Sequence, residues 1–324
     1  MKQFIFIFFL VTNAFYAQIT PFEGKLLDYY NNEPVAFAHI KFKNSSTGVS
    51  TTNDGNFKLV IDNALLKSKV HISCLSYKDT LVNASELQNK IFHLQPKAEI
   101  LDEVIVEKYE SKEISFGSTK GKRTNRHLHR RDTIMIAQFI NGNKIDSTYN
   151  YLKTVTLKFT NKIITPSQAR IRIFDRNEVT GAPENDLLSE SVIITITRNQ
   201  KIYDIDFSEF VIEVPKDGFF VAIEKFIVPM NRCFIAPIER STYPRYTAEF
   251  KKKTYSEDSE KSKLLSFEKY RNEVTLYAPV IYLTEKKAKH EDFGDLYSLN
   301  SNQWEMYKNT GNGFIIPMEI VLSN

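Results

Sequence analysis

Four acidic residues lie close together in one stretch of the chain and are the first candidates for catalysis. They are Asp175, Glu178, Glu184 and Asp186. Two carboxyl groups that face each other across a sugar can hydrolyse a glycosidic bond, and carboxylate oxygens also suit Ca²⁺. These four share one segment with turn-forming residues, whereas a glycosidase holds its two carboxyls at a fixed separation, usually from different strands. We therefore interpret the segment as a solvated loop, and a hydrolase that uses these carboxylates is the competing interpretation.

Histidine and cysteine are scattered, and they do not form a complete catalytic or metal-binding set. A zinc hydrolase needs a histidine and a carboxylate at close spacing and a distant third ligand. The best such pair is His129 with Asp132, near His127, but the neighbouring basic residues repel a cation. Neither Cys74 nor Cys233 has a catalytic sequence context, and the sequence contains no serine elbow or phosphate-binding glycine motif. The sequence therefore predicts no catalytic residue, no metal and no cofactor.

An aromatic cluster near the C-terminus is the best candidate for ligand binding. Trp304, the single tryptophan, lies with Tyr297 and Tyr307 in a polar stretch that contains several asparagines. Sugar faces stack well on such rings, which have an apolar body and a polar edge. The alternative is that Trp304 is a core residue beside the final strand, because large aromatic residues near strand ends usually pack inside. We predict these three aromatic residues as ligand-binding residues, and the core interpretation stays open.

These candidates need a scaffold, and the composition favours β-strands. The chain of 324 residues has 24 Phe and 16 Tyr but only 11 Gly and 11 Pro. Aromatic residues are enriched in strands, and a chain of this length suits two domains with separate cores. Short alternating apolar runs recur along the sequence, and several prolines fall at their ends. We therefore predict an all-β protein made of two β-sandwich domains.

The N-terminus has the pattern of an export signal. Lys2 is followed by an apolar run over residues 4–11, and the small Ala17 precedes Gln18. A positive charge, a short apolar segment and a small residue before the cut are typical of a secretory signal peptide. The pattern predicts a signal peptide at residues 1–17 rather than an uncleaved anchor helix, because the apolar run is too short to span a bilayer. No later segment approaches transmembrane length, so we predict a mature chain with no transmembrane segment. Export would place both cysteines where disulfides are permitted, and their redox state stays open.

The first domain is organised around the stretch from Gly48 to Ile61. Asn53, Asp54 and Gly55 tolerate positive φ and mark a tight turn, and apolar residues alternate after it. The pattern predicts a β-hairpin with an architectural role. Further along the chain, Cys74 alternates with apolar residues, which predicts that it lies on the inward face of a strand.

Short motifs are spread through residues 19–106. They are Gly24-x-Leu26-x-Asp28, Pro34-Val35, Ala38-x-Ile40, Thr52-x-Asp54-Gly55-x-Phe57 and Cys74-x-Ser76-Tyr77. Together they resemble the carboxypeptidase-regulatory-like domain, a seven-stranded prealbumin-like sandwich. The segment from Leu101 to Val106 is similar to the strand that follows this domain in TonB-dependent outer-membrane receptors of the starch-utilisation type, but too few residues follow it for their plug and barrel. The resemblance implies a sandwich fold and a cell-envelope location, and it carries over neither receptor activity nor catalytic residues.

A basic segment separates the two predicted domains. From Glu107 to Asp132, Lys and Arg exceed Asp and Glu by four, which equals the net charge of +4 of the whole chain. A basic stretch can bind nucleic acid, but in an exported protein it is more often a solvated linker. We therefore predict domains at residues 18–106 and 133–324, a basic linker at residues 107–132, and no nucleic-acid partner.

The second domain shows at least eight candidate strands and no convincing long helix. This pattern is typical of a larger sandwich or jelly roll, and it resembles carbohydrate-binding jelly rolls in pattern only. We predict a non-catalytic exported protein of the periplasm, the outer membrane or the cell surface, which binds a glycan or an envelope protein. A hydrolase and an accessory subunit of an outer-membrane transport or secretion complex are the alternatives.

Overall fold

Alternation of apolar and polar residues gives the chain its strands, and almost all of its regular structure is β. The computed structural model describes residues 19–45, 47–97, 112–121, 123–128, 133–159, 166–197, 200–235, 274–279, 281–285, 293–300, 303–307 and 313–324. Within these ranges the strands form an N-terminal domain and a larger C-terminal domain. The prediction of an all-β fold is confirmed.

The N-terminal domain is a sandwich of two sheets around one core. Its strands are β1 (Ile19–Asp28), β2 (His39–Phe42), β3 (Gly48–Ser50), β4 (Asn56–Asp62), β5 (Lys69–Ser73), β6 (Thr80–Asn83) and β7 (Lys90–Leu94). One sheet has the order β4-β1-β7, with β1 antiparallel to β4 and parallel to β7, and the other has the order β3-β2-β5-β6. A helical turn, α1 (Ala84–Leu87), and a 3₁₀ turn (Asn63–Lys67) complete it. Phe22 packs on Phe42 and Phe57 in the core between the sheets.

The stretch from Gly48 to Ile61 makes the predicted tight turn, but it is not a hairpin. The Gly55 amide donates to the Thr52 carbonyl at 2.9 Å, and Gly55 has a φ of +73°. Strand β3 before the turn pairs with β2, whereas β4 after it pairs with β1 in the opposite sheet. Val49 and Phe57 therefore reach one core from two sheets. Turn chemistry is local, while the pairing partner of a strand depends on segments far away in the chain.

The C-terminal domain is a larger sandwich with two main sheets. Its strands are β8 (Glu113–Gly117), β9 (Arg123–Leu128), β10 (Thr133–Ile140), β11 (Tyr151–Lys158), β12 (Ser167–Arg176), β13 (Pro183–Asp186), β14 (Val192–Ile196), β15 (Ile202–Asp206), β16 (Phe219–Lys225), β17 (Arg232–Ile235), β18 (Val274–Tyr277), β19 (Ile281–Glu285), β20 (Phe293–Asn300), β21 (Gln303–Met306), β22 (Phe314–Ile315) and β23 (Met318–Ser323). Its 3₁₀ turns are Gly142–Lys144, Ser208–Phe210 and Pro229–Asn231. A sheet of order β13-β12-β16-β10-β20-β21, with β14 also paired to β12, packs on a sheet of order β15-β11-β23-β8. The small sheets are β17-β18 and β22-β19-β9.

Strand β16 is buried on both faces of the large sheet. Every residue from Phe219 to Lys225 is buried. Val221 and Ile223 point into the main core between the two sheets. The opposite face of the sheet, which we call the outer face, carries a second apolar cluster formed by Met135, Ala137, Phe174, Ala182, Phe220, Ala222 and Tyr297. The N-terminal domain contacts this outer face at Glu224 and Phe226, so the interface between the two domains lies over the C-terminal end of β16.

The basic segment predicted as a linker contains two strands, β8 and β9, that belong to the C-terminal domain. Strand β8 pairs antiparallel with β23 at the edge of the smaller main sheet, and β9 pairs with β19. Ile114 and Phe116 pack against the main core of the C-terminal domain. These two apolar residues alternate with polar ones in the sequence, but the many charged residues around them favoured the interpretation as a solvated linker. The C-terminal domain therefore begins at β8, within the predicted linker.

Several predictions fall outside the described residues. These are the signal peptide at 1–17, the strand at 101–106, and the histidine and aspartate at positions 129 and 132. The side chain of Cys233 is also not described. Among the described residues, no helix is both long enough and apolar enough to cross a membrane.

Candidate binding site between the two domains

Backbone hydrogen bonds join the two domains beside β3. The Ser50 amide donates to the Ile227 carbonyl at 2.9 Å, and the Ile227 amide donates to Ser50 Oγ, also at 2.9 Å. Next to this pair the rings of Phe37 and Phe226 stack with their centroids 4.1 Å apart. Phe37 is buried and has a φ of +55°, a value that bulky residues rarely adopt. Such a conformation persists only where the surrounding structure holds it. The packing of Phe37 on Phe226 therefore fixes the backbone of the N-terminal domain at this contact.

A chain of buried polar side chains continues from this contact into the C-terminal domain. Ser50 Oγ lies 2.9 Å from His39 Nδ1, and His39 Nε2 lies 2.6 Å from Glu224 Oε1. The second carboxylate oxygen, Oε2, accepts from Arg170 Nη1 at 3.1 Å. Glu224 and Arg170 are each 1% exposed. Charges buried to this degree are tolerated only when they are paired, so this chain of contacts links β2 to β12 and β16 across the interface.

Two arginines from β12 balance the negative charges in this region. Burial by itself would raise the pKa of Glu224, but the charge of Arg170 and the hydrogen bond from His39 hold it well below its usual range. Arg172 Nε donates to Asp186 Oδ2 at 2.5 Å, and Arg172 Nη1 lies 3.8 Å from Glu224 Oε2. Burial raises the pKa of Asp186, and the charge of Arg172 offsets part of that rise. We call His39, Ser50, Arg170, Arg172 and Glu224 the interdomain polar cluster.

Serine, histidine and a carboxylate also form the catalytic relay of many hydrolases, so the order of contacts matters. In those enzymes the serine contacts Nε2 of the histidine and the carboxylate holds Nδ1. In this protein Ser50 contacts Nδ1 and Glu224 contacts Nε2. Ser50 Oγ also accepts the Ile227 amide, and Ser50 is 1% exposed. Because a nucleophile must reach its substrate, we interpret the arrangement as a structural contact between the domains.

A cavity of about 220 Å³ lies beside the polar cluster, and we call it the interdomain cleft. Its lining residues are His71, Ser73, Cys74, Asp79 and Lys97 from the N-terminal domain and Arg172, Glu224 and Leu299 from the outer face. His71 Nε2 lies 3.2 Å from Asp79 Oδ2, and this hydrogen bond lowers the pKa of Asp79. Cys74 is a free thiol, and burial raises its pKa, so it stays protonated at neutral pH. The cleft is therefore a mixed polar site built by both domains.

A second, more open groove of about 570 Å³ runs along β1, β3, β4 and β7 and reaches Pro229. Lys25, Lys58 and Lys90 line it, and Lys58 pairs with Glu23 at 2.7 Å. Lys58 and Lys90 are exposed, and exposed charges of this kind contribute little in isolation because water screens them. The interdomain cleft, with its buried and paired charges, is the better-defined site.

The structure separates the three predicted aromatic ligand residues. Tyr297 is buried against Phe220 on the outer face, and Trp304 is half-buried there with its ring 5.9 Å from that of Phe174. Tyr307 packs against the main core on the other side of the sheet. The three rings therefore do not form one platform, and each contributes to packing. Trp304 and Tyr297 nevertheless share the outer face with the cleft, and their ligand-binding role stays a prediction.

The acidic cluster of β12 and β13 is held by local partners. Asp175 accepts from the backbone amide and the side chain of Asn185 at 2.7 and 2.9 Å. Glu184 accepts from a neighbouring asparagine side chain at 2.7 Å, and Asp186 pairs with Arg172. Glu178 is exposed. These bonds order the β12–β13 hairpin. The loop interpretation holds for Glu178 alone, because Asp175 lies in β12 and Glu184 and Asp186 lie in β13, and the hydrolase alternative stays untested.

Sequence reasoning missed the residues that join the domains. No local pattern marks His39, Arg170 or Arg172 as partners, because they lie in different domains or on different strands from the residues they contact. One available signal was the unbroken apolar run that ends at Glu224, because a strand without alternation is covered on both faces. Among the described residues, no group of three or more His, Cys, Asp and Glu side chains is arranged to hold a metal ion.

Residues 22–106 match the model of the CarboxypepD_reg-like domain family. The N-terminal domain is a carboxypeptidase-regulatory-like domain. Its motif residues Asp28 and Tyr77 contact each other, since Tyr77 donates its hydroxyl to Asp28 Oδ2 at 3.0 Å. Asp28 Oδ1 also accepts the Tyr30 amide at 2.7 Å, which fixes the turn after β1. The match covers the N-terminal domain alone and leaves the larger domain unassigned.

Comparison with curated proteins finds no match to the chain. Among solved structures, the chain is similar to the cysteine protease and lectin-like domains of Cwp84, a surface layer associated protein of Clostridium difficile. The TM-score is 0.30 and the sequence identity 11%, over 59% of this chain and 32% of that one. A likeness of this size assigns neither a fold nor a function.

Proposed function

We propose that this chain is a non-catalytic, exported protein of the cell envelope that binds a glycan in the interdomain cleft. The observation that carries the proposal is the cleft itself, which is walled by ionisable side chains from both domains. Ligand sites are concave and usually mostly apolar, with a few placed polar groups; this cleft is more polar than that, which suits a ligand that is itself rich in polar groups. Its volume of about 220 Å³ suits a small unit such as one sugar ring rather than a drug-sized ligand, whose pockets measure roughly 300–1,000 Å³.

The chemistry of the lining supports a sugar as the ligand. Hydroxyl groups need both donors and acceptors, and the cleft offers donors at Arg172, Lys97 and Ser73 and an acceptor at Asp79. Leu299 supplies an apolar wall that continues into the outer face, where it pairs in register with Trp304. A sugar has both polar edges and apolar faces, and this combination of surfaces complements it.

The polar cluster beneath the cleft supports binding rather than turnover. Glu224 is tied through both oxygens, and Ser50 and His39 are engaged with each other. Groups fixed in this way hold the two domains in one orientation, so the cleft keeps its shape without a ligand, which reduces the entropic cost of binding. The export pattern of residues 1–17 and the regulatory-like domain support a location in the envelope.

The test is a glycan array with the purified full-length chain, followed by titration of each binding glycan. Trp304 is the single tryptophan and lies on the outer face near the cleft, so its fluorescence reports occupancy. Lys97→Ala is expected to weaken binding about three- to tenfold, whereas Lys216→Ala, an exposed lysine outside the cleft, leaves it unchanged. Absence of any glycan binding refutes the proposal. So does hydrolysis of a bound glycan that disappears in Asp175→Asn, because it favours the hydrolase alternative.

A further inference from the structure

The side chains that line the interdomain cleft include three hydrogen-bond donors, Arg172, Lys97 and Ser73, and two carboxylates, Asp79 and Glu224. Glu224, although it lines the cleft, is already bonded through Oε1 to His39 and through Oε2 to Arg170. Its charge is balanced by Arg170, which is buried directly beside it. Glu224 therefore offers a ligand little acceptor capacity and little net negative charge.

Arg172 lines the cleft, and two contacts hold its guanidinium in place. Its Nε is bonded to Asp186 at 2.5 Å, and its guanidinium lies 4.7 Å from the centre of the Phe174 ring. Nη1 lies 3.8 Å from Glu224, which is beyond hydrogen-bonding distance. A guanidinium held at Nε and supported by a ring keeps the edge with its two terminal nitrogens fixed in orientation. That edge matches a carboxylate, which it can bind through two parallel hydrogen bonds.

The wall of the cleft that the N-terminal domain forms, with His71, Asp79 and Lys97, limits which other groups the ligand can have. Asp79 lies 3.2 Å from His71 and also interacts with the positive charges of Lys97 and Arg172. An ammonium group placed beside Asp79 would also meet those same cations. A neutral hydroxyl group can donate to Asp79 without that repulsion. The wall accordingly favours a polyol over an amino group.

We propose that the glycan bound in the interdomain cleft carries a carboxylate, as in a uronic acid, with the carboxylate on the terminal nitrogens of Arg172 and near Lys97, and a ring hydroxyl on Asp79. This inference rests on the proposed function and names the ligand class of the same site. A peptide C-terminus carries the same carboxylate, but its amide N–H and C=O groups replace the ring hydroxyls, and its apolar backbone and side chains lack the several hydroxyl groups that the polar lining of the cleft can bind.

The experiment compares three saccharides that differ at one carbon. The full-length chain is titrated with a glucuronic acid disaccharide, its methyl ester and the corresponding neutral glucose disaccharide, and Trp304 fluorescence and calorimetry are recorded. We expect the uronate to bind at least about tenfold more tightly than either uncharged sugar, because charge-assisted hydrogen bonds are roughly twice as strong as neutral ones. Lys97→Met should reduce this preference, and Lys216→Met, in an exposed lysine outside the cleft, should leave it intact. Arg172→Lys, which keeps the charge but loses the planar fork, should also reduce the preference while the fold is retained.

The outcomes separate this inference from the proposed function. Equal affinity for the three saccharides overturns the carboxylate assignment and leaves glycan binding in place. Binding of none of them, together with an empty glycan array, overturns both. An acetylated dipeptide with a free C-terminus is titrated in parallel, and tighter binding of that peptide than of the uronate overturns the assignment to a saccharide. An unchanged preference in both Lys97→Met and Arg172→Lys places the carboxylate outside the cleft and also overturns the inference.

Discussion

Replacing Glu224 by Gln removes one negative charge from the interdomain polar cluster and leaves the shape of the side chain almost unchanged. Glu224 is 1% exposed and accepts hydrogen bonds from His39 and Arg170. Without its charge, Arg170 becomes a buried cation with no carboxylate of its own. Removal of one partner from a buried ion pair costs about 3–5 kcal/mol. Since a native protein is stable by only about 5–15 kcal/mol, we expect a large loss of stability.

Urea and thermal unfolding of the full-length chain measure this loss. Circular dichroism follows both domains, and Trp304 fluorescence follows the C-terminal domain alone, because Trp304 is the single tryptophan. At roughly 2–4 °C per kcal/mol, Tm should fall by roughly 6–20 °C. If the cluster stabilises the contact between the domains, the unfolding midpoints from circular dichroism and from Trp304 fluorescence should differ in the variant, because one domain then unfolds before the other.

The matched control is Glu178→Gln, which removes the same charge from an exposed position in the turn between β12 and β13. An exposed substitution of this kind should change stability by no more than about 0.5 kcal/mol. A cost for Glu224→Gln below about 1 kcal/mol, or coincident probes with an unchanged midpoint, would refute the reasoning that this buried charge holds the domains together.

The same charge predicts a pH dependence: because the folded-state pKa of Glu224 is depressed, its stabilisation is complete above its ordinary pKa of 4.5 and is lost as the pH falls below that value. Between about pH 7 and pH 3, Tm should therefore fall further for the native chain than for Glu224→Gln. An equal fall in Tm for both proteins would contradict this. Gly55→Val should destabilise the N-terminal domain by about 2–4 kcal/mol in hydrogen exchange, because it puts a β-branched residue at a φ of +73° and its Cβ against the Leu26 carbonyl; full protection in the variant would show that the turn is tolerant. Phe116→Ala removes the contact of β8 with Phe293 and should cost about 2–4 kcal/mol in urea unfolding, whereas an unchanged curve would mean that β8 is dispensable.

The features that sequence reasoning captured are those set by neighbouring residues. The tight turn at Gly55 follows from residues that accept positive φ, and the strands follow from apolar residues at alternate positions. The regulatory-like domain was recognisable because its motifs are short runs of neighbouring residues, such as Thr52-x-Asp54-Gly55-x-Phe57. Such signals survive in a linear sequence because their causes lie within a few residues, or within one domain.

The features that sequence reasoning missed depend on distant segments. The hairpin interpretation failed because β3 and β4 pair with strands of different sheets. The linker interpretation failed over β8, where charges beside Phe116 outweighed its alternation with Ile114. The aromatic platform did not assemble, because a sheet sends neighbouring positions to opposite faces and Tyr307 thereby joins the main core.

The strand content, the tight turn and the regulatory-like domain follow from residues that are close together in the sequence. Which charges are buried depends on the tertiary fold, because the burial of a side chain depends on what another domain places over it. Arg170 and Glu224 have the residue types of a solvated strand face, and they become an interdomain contact only when His39 of β2 closes over them. The cleft beside them exists for the same reason, since its two walls come from segments that no local pattern connects.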